Sequence, residues 1–561
     1  MIMRRFSIVA TLAGFALLTS PVFAEKVARG EQGAAATEHP LASKVGIDVL
    51  KSGGNAVDAA VAVGLMLGVV APHHSGIGGG CFLLIRRPDG AIFALDARET
   101  APAAATRDMF LRDGKLDPLL SQRGALAVAT PGALAGYALA AKTHGRKPLR
   151  ELIAPAIEAA ENGFAIHGDF AELLNAHQET FPEMAGAAAI HGGTIEARWK
   201  AGDLFPQIHL AASYRSIADQ GTDWFYRGAF AEKLDAAMRE AGGRVVASDL
   251  AGYEVISREP LRGSYRGVEI VSFPPPSSGG IHVLQILRLV ERFDLAKASE
   301  GERAHLLGEA MKIAFADRAH WLGDPDFARV PRGLLDADYL GELSAKIAPD
   351  RLLGVDRAGQ PPVAGIDVFE KKHTTHFSVA DAEGWWVACT ATINTTFGSG
   401  FVVPGTGIVL NNEMDDFAIQ PGVPNYFGLI GAEANAVEPR KRPLSSMTPT
   451  LVLRDGQPIL ALGAAGGPTI ITQTVGNLVG VLDLELPLDS ALAAPRVHHQ
   501  WRPDELRIET AWSEAAQGHL TQLGHRLKIN GKIGVSNAVG REGTGFIGVS
   551  EPRQNTGAAA W

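Results

Sequence analysis

Residues 373–400 read H-T-T-H-F-S-V-A-D-A-E-G-W-W-V-A-C-T-A-T-I-N-T-T-F-G-S-G, and this stretch leaves the chain few ways to fold around it. Phe377 and Val379 alternate with His376 and Ser378, and Trp386, Ala388 and Thr390 alternate with Val387 and Cys389. That is the period-two signal of half-buried strands, here joined through Asp-Ala-Glu-Gly. A hairpin built this way returns Thr392 and Asn394 towards Thr374. A threonine hydroxyl is a poor nucleophile unless a base stands beside it, and one solution uses the α-amine of the same threonine, exposed by cutting the chain before it. Such an amine titrates near ~8 and can serve as a neutral base. Threonine is also an ordinary strand residue, so structural and catalytic readings of the hairpin stand side by side.

A second constraint lies near the other end. Residues 41–70 read as two helices separated by Ser52-Gly53-Gly54-Asn55, with glycine as C-terminal stop and Asn55 as N-cap. The second helix, 56–70, is apolar nearly all round apart from Asp58, so it belongs between layers rather than on a surface. The glycines at 76–80 lack the G-x-G-x-x-G spacing and open a strand-like run, which argues for close chain approach and against a dinucleotide cofactor. Helical spacing recurs at 152–162, 230–242, 281–293 and 306–322, where Leu307, Met311 and Phe315 fall four apart. Gly242 and Asp324-Pro325 are stop signals.

Composition narrows the function. The 561 residues are 46% hydrophobic, enough for a large core, and carry a net charge of −9 with no basic block that would neutralise phosphates, which disfavours nucleic acid as a partner. Residues 1–24 begin with Arg4 and Arg5, continue through a short apolar run and end Pro-Val-Phe-Ala, the pattern of a secretory signal cleaved after Ala24. The run is short for a span of roughly 20 residues, so an exported protein without a membrane anchor is expected. Cys81 and Cys389 lie in apolar segments and read as buried free thiols. His73-His74 and His498-His499 read as turn or surface histidines without a third metal ligand.

Several long motifs, T-T-H-F-S-V, T-x-N-T-T-F-G-S-G, N-N-E-M-D-D-F and K-R-P-L-S-S-M-T-P-T, resemble in that order the small subunit of γ-glutamyltranspeptidases, also called glutathione hydrolases. The similarity extends back through F-P-P-P-S-S-G-G-I-H, L-D-A-R-E-T-A-P and G-G-N-A-V-D-A-A-V-A-V, so it covers nearly all of the chain after residue 40. The resemblance implies the α+β, four-layer αββα sandwich of N-terminal-nucleophile hydrolases. It also implies autocleavage between His373 and Thr374, leaving residues 25–373 and 374–561 as two intertwined chains of a heterodimer. Residues 351–373, rich in Gly, Pro and charge, read as the exposed linker leading to that cut.

The family motifs carry roles onto this chain residue by residue. Thr374 is the expected nucleophile for glutathione and other γ-glutamyl compounds, with Thr392 hydrogen-bonded to it and the γ-glutamyl group passed to water or to an amino-acid or dipeptide acceptor. Arg98 matches the arginine that grips the substrate's α-carboxylate, and its planar fork suits a bidentate contact. Asp416, after an expected strand at 407–410, matches the partner of the α-ammonium, assisted by Glu413. Asn394, Ser445 and Ser446 complete the head-group site. Gly466 and Gly467, before an apolar helix at 470–482 with Pro468 at its first position, offer bare amides to an oxyanion. The loop 421–439 resembles the lid of bacterial members, although many of those carry Tyr where this chain has Phe427. Neither cofactor nor metal is implied. Ser277 and Ser278 lack a nucleophile elbow and are assigned to structure. A glutaryl acylase of the same fold and a non-catalytic exported amino-acid-binding protein are the alternatives, and the periplasm or the medium is the expected compartment.

Overall fold

The computed structural model describes residues 25–177, 198–362 and 376–561. The helix Ala56–Val70 buries all fifteen of its residues. It starts on a capping box, in which the Asn55 side chain accepts from the Val57 and Asp58 amides while the Asp58 carboxylate accepts from the Asn55 amide. The helix before it, Pro40–Lys51, ends where Gly53 turns with φ of 87°.

Two seven-stranded antiparallel sheets form the middle of the molecule. One runs Val27–Gly30, Gly545–Val549, Val535–Glu542, Gln457–Ala465, Thr450–Arg454, Val268–Ser272, Leu261–Tyr265. The other runs Gly557–Ala560, Gly33–Thr37, Phe377–Asp381, Trp386–Thr392, Gly80–Arg86, Ile92–Ala97, Ile256–Arg258. Each sheet therefore interleaves strands from before and after residue 374. Between them lies one apolar layer that includes Ala34, Phe82, Ala388, Trp386, Leu451, Val539 and Phe546. Phe82 and Phe273 stack there with centroids 4.1 Å apart. Helices cover the two outer faces, Ala56–Val70 among them on the second sheet and Gly279–Val290, Glu300–Trp321 and Thr469–Leu482 on the first. The result is the four-layer αββα sandwich.

The hairpin Phe377–Asp381/Trp386–Thr392 forms in the expected register, Phe377 opposite Cys389. Its strands, expected to be half-buried, are buried on both faces, because a sheet in the middle of four layers has no solvent side. The turn at Asp455-Gly456 takes positive φ at both positions, 52° and 74°, as a two-residue hairpin of that sequence should. The expected strand at 407–410 reduces to a single bridge between Val402 and Val409. The helix expected to reach 293 stops at Val290, where the Arg266 guanidinium takes the Glu291 and Phe293 carbonyls instead. Cys81 and Cys389 are free and buried. His498 and His499 are buried rather than exposed, with His498 bonded to Thr472 and Gln500.

Candidate active site

The hairpin's open end supplies hydroxyls and an amide. Thr392 Oγ1 accepts from the Asn394 backbone N–H at 2.7 Å, so its own proton is left to donate elsewhere. Asn394 turns the chain with φ of 74° and donates its side-chain amide to the Asn412 carbonyl at 2.9 Å. On the first strand His376 lies 2.8 Å from Ser378 Oγ and faces Thr390. Burial pushes its imidazole down to about 3, so it is neutral at ordinary pH. The ring packs over Gly463, where a Cβ would stand 2.4 Å from Nδ1. His373 and Thr374 lie outside the described residues.

An acidic turn, Glu413–Asp416, is fixed by one side chain. Asn411 donates to the Gly78 and Ala129 carbonyls and accepts from the Ala129 and Glu413 amides. Arg98, wholly buried, reaches this turn from the end of the strand Ile92–Ala97. Its fork donates to Glu413 through Nη1 and to Asp416 through Nη2, the latter at 2.6 Å, while Glu99 lies 3.7 Å from its Nε. Its backbone is fixed as well: the amide donates to Asp96, and the carbonyl accepts from Tyr253 and Arg442. Burial alone would lower the Arg98 pKa, but the charges of Glu413, Glu99 and Asp416 outweigh it and raise it. Burial raises all three acids in turn, Glu99 to about 7.

A third wall carries Ser445 and Ser446. It is stitched to the loop that precedes the helix Gly279–Val290: Ser277 Oγ donates to the Met447 carbonyl at 2.5 Å and Ser278 Oγ to the Ser445 carbonyl at 2.6 Å. Arg318 completes that wall, donating to Ser278 Oγ and Ser446 Oγ. The fourth wall is Gly466-Gly467, with φ of 128° and 60°, conformations that favour glycine. Pro468 occupies the capping position of the helix Thr469–Leu482, one residue before the expected place. Among the described residues nothing accepts from the Gly466 or Gly467 amide.

These walls enclose one cavity of about 400 Å³. Thr392, Asn394, Glu413, Asp416, Ser445, Ser446, Gly466 and Gly467 all line it, and Arg98 lies behind Glu413 and Asp416 rather than at its surface. Tyr426, Phe427 and Leu429 line it from the loop 421–439, which Asn425 braces by accepting from the Phe427 and Leu429 amides. The Phe427 ring covers Gly467. Reading the sequence missed Arg318 and His376. The signal for Arg318 was a cation three residues beyond Phe315, on the face that Leu307 and Met311 make apolar.

A buried trio, His305, Glu309 and His525, could in principle hold a metal. Its facing atoms already have hydrogen-bond partners within the protein. Lys312 donates to one Glu309 oxygen at 2.9 Å and the Leu353 amide to the other, while His305 bonds His525 and the Ala348 carbonyl.

A family model described as gamma-glutamyltranspeptidase matches residues 42–561. A glutathione hydrolase proenzyme of Escherichia coli (strain K12) is 43% identical over 532 residues, 94% of this chain and 91% of that protein. Another, of Pseudomonas sp. (strain A14), is 39% identical over 99% of this chain and 98% of its own length. Among solved structures, a cephalosporin acylase from Bacillus halodurans superposes with a TM-score of 0.85 at 28% identity, covering 98% of this chain and 99% of that one. Among the described residues no helix is long and apolar enough to cross a membrane.

Proposed function

The chain belongs to the γ-glutamyltranspeptidase family, and from that membership we propose that it is a glutathione hydrolase and γ-glutamyltransferase whose nucleophile is Thr374. One observation carries the reading: a single cavity gathers the Thr392 hydroxyl, two glycine amides without an acceptor among the described residues, and the carboxylates of Glu413 and Asp416. His376 lines the same cavity. In the sequence it follows Thr374 by two positions.

In the precursor the Thr374 hydroxyl attacks the His373 carbonyl, the acyl group moves from nitrogen to oxygen, and water hydrolyses the ester. This leaves a carboxylate on His373 and a free amine on Thr374. Because each sheet interleaves strands from both sides of the cut, the two chains stay joined by strand pairing as a heterodimer. The new amine then takes the hydroxyl proton as Thr374 attacks the γ-amide of glutathione or a related compound. The Gly466 and Gly467 amides receive the oxyanion, an interaction worth roughly 2.7–4 kcal/mol per donor in comparable sites. The amine passes its proton to the leaving nitrogen, and water or an acceptor amine releases the γ-glutamyl group. Thr392 hydrogen-bonds the nucleophile. Asp416, aided by Glu413, takes the α-ammonium, Arg98 holds those two acids from behind the wall rather than gripping the carboxylate itself, and the two serines serve the α-carboxylate. The leader 1–24 directs export, and the periplasm is the proposed compartment.

The likeness to an acylase favours a second reading, a glutaryl acylase, which would use the same threonine without an ammonium partner. Asp416 at the cavity wall favours the glutamyl head. A denaturing gel of the purified protein together with an assay on γ-glutamyl and glutaryl p-nitroanilides tests both. Two fragments and preferred γ-glutamyl turnover are expected. An uncut, inactive chain would sink the proposal, and preferred glutaryl turnover would move it to the acylase.

A further inference from the structure

Resting on the reading above, we propose that Arg318, acting through the Ser446 hydroxyl, is the positioning residue that makes one corner of the cavity specific for the substrate's α-carboxylate. Arg318 sits in the last turn of the helix Glu300–Trp321 and is buried, 4% exposed. Its Nε donates to Ser278 Oγ at 2.9 Å and its Nη2 to Ser446 Oγ at 3.0 Å.

The two hydroxyls dispose of their protons differently. Ser278 donates its own to the Ser445 carbonyl, so it is satisfied within the wall. Ser446 Oγ accepts from Arg318 and meets no acceptor for its own proton among the described residues, and Ser446 lines the cavity. A hydroxyl whose lone pair is held by a guanidinium behind it is turned to donate forward. Its proton therefore faces the space where a head group would sit.

Charge points the same way. Arg98 is shared by Glu99, Glu413 and Asp416, three carboxylates around one cation. No carboxylate lies within ion-pair distance of Arg318 among the described residues, and Asp416 is the one acid whose charge reaches it. Burial, only partly offset by Asp416, pushes its guanidinium down to about 10. A buried cation without a paired anion is costly, and an incoming carboxylate repays that cost. The corner at Ser446 is thus the electropositive part of the cavity, while the Glu413–Asp416 corner is suited to a cation. The pair of corners is oriented for a zwitterion.

The test compares three chromogenic anilides. The γ-glutamyl compound carries ammonium and carboxylate, the glutaryl compound only the carboxylate, and the 4-aminobutyryl compound only the ammonium. Arg318→Met, close in shape and uncharged, should raise KM about tenfold or more for the first two and leave that for the 4-aminobutyryl compound within about twofold. Ser446→Ala should give the same ranking more weakly, and Arg318→Lys should recover part of the loss. Equal losses on all three substrates in these variants, or no loss on any, would overturn the role. If Arg318→Met does not mature, Ser446→Ala and Arg318→Lys decide by the same ranking. Wild-type protein that turned over none of the three anilides would overturn the function beneath, whereas turnover without the ranking removes the Arg318 assignment alone.

Discussion

The two ends of the cavity are built on opposite electrical plans. At the hairpin end the groups are neutral: the Thr392 hydroxyl, a His376 held uncharged by burial, and the amides of Gly466 and Gly467. At the other end Glu413 and Asp416 line the wall, with Arg98, Glu99 and Arg318 buried behind it. Dipoles fixed by the backbone can receive a transient oxyanion without carrying a standing charge that a ground-state substrate would neutralise. Recognition of a zwitterion needs standing charges, and those must be desolvated in advance. Damage to the first end should therefore abolish reaction while leaving binding, and damage to the second should change which substrate is taken.

The sharpest break is at the proposed nucleophile. Thr374→Ala should yield a folded, uncut chain without γ-glutamyl transfer, because one hydroxyl performs both reactions. Fragments of 25–373 and 374–561 found by mass spectrometry in that variant would place the cut or the nucleophile elsewhere. Thr374→Ser should still mature, more slowly, since only the methyl that restricts the rotamer is lost.

Next in size is Arg98→Ala. It leaves Glu413 and Asp416 without their shared cation, and breaking such a buried pair costs about 3–5 kcal/mol of stability. The two acids proposed to hold the α-ammonium also lose the cation that fixes them, so kcat/KM should fall about tenfold or more. Processing should continue, because no bound glutamate takes part in it. Arg98→Lys separates the two effects, since it keeps the charge and loses the fork. An Arg98→Ala protein with unchanged Tm and unchanged kcat/KM would remove the head-group assignment.

A smaller effect is expected of Asp416→Asn. It should lower kcat/KM for the γ-glutamyl anilide by about tenfold relative to the glutaryl one, because only the former carries an ammonium. An unchanged ratio of the two would show that Asp416 serves Arg98 and not the substrate.

How much of this could be read from the chain differs between the two ends. The hairpin, its register, the N-cap at Asn55 and the Asp455-Gly456 turn follow from local patterns, and the structure repeats them. Burial of the hairpin on both faces did not follow, because Ser378 and Thr390 look like solvent-side residues until a second sheet covers them. The head-group residues were legible through motifs that resemble a family, not through spacing. Behind them the contacts join distant parts of the chain, with 128 positions separating Arg318 from Ser446 and 167 separating Ser278 from Ser445. No window of sequence contains such a pair. The helix face of Leu307, Met311 and Phe315 announced a core, and the arginine on it showed only that something polar had to meet it there.

The smallest effect separates the two plans by pH. Glu99 keeps its proton up to about 7 in the folded protein, against an ordinary value of 4.5, because burial opposes its charge. Between those values the folded state holds a proton that the unfolded state has lost, so this contribution makes stability fall as pH rises through the window. The neutral end does the reverse. His376 titrates at about 3 when folded and 6.5 otherwise, so between those values the unfolded state binds the extra proton and stability rises with pH. The two slopes partly cancel in the wild-type protein, and a single Tm–pH curve cannot assign them. Glu99→Gln keeps the shape of the protonated acid and removes its titration. Subtracting the variant's Tm–pH profile from that of the wild type should isolate a fall between about pH 4.5 and 7, with γ-glutamyl turnover changed little. A flat difference across that window would mean that Glu99 is ionised beside Arg98, and the charged end would then be more acidic than its burial implies.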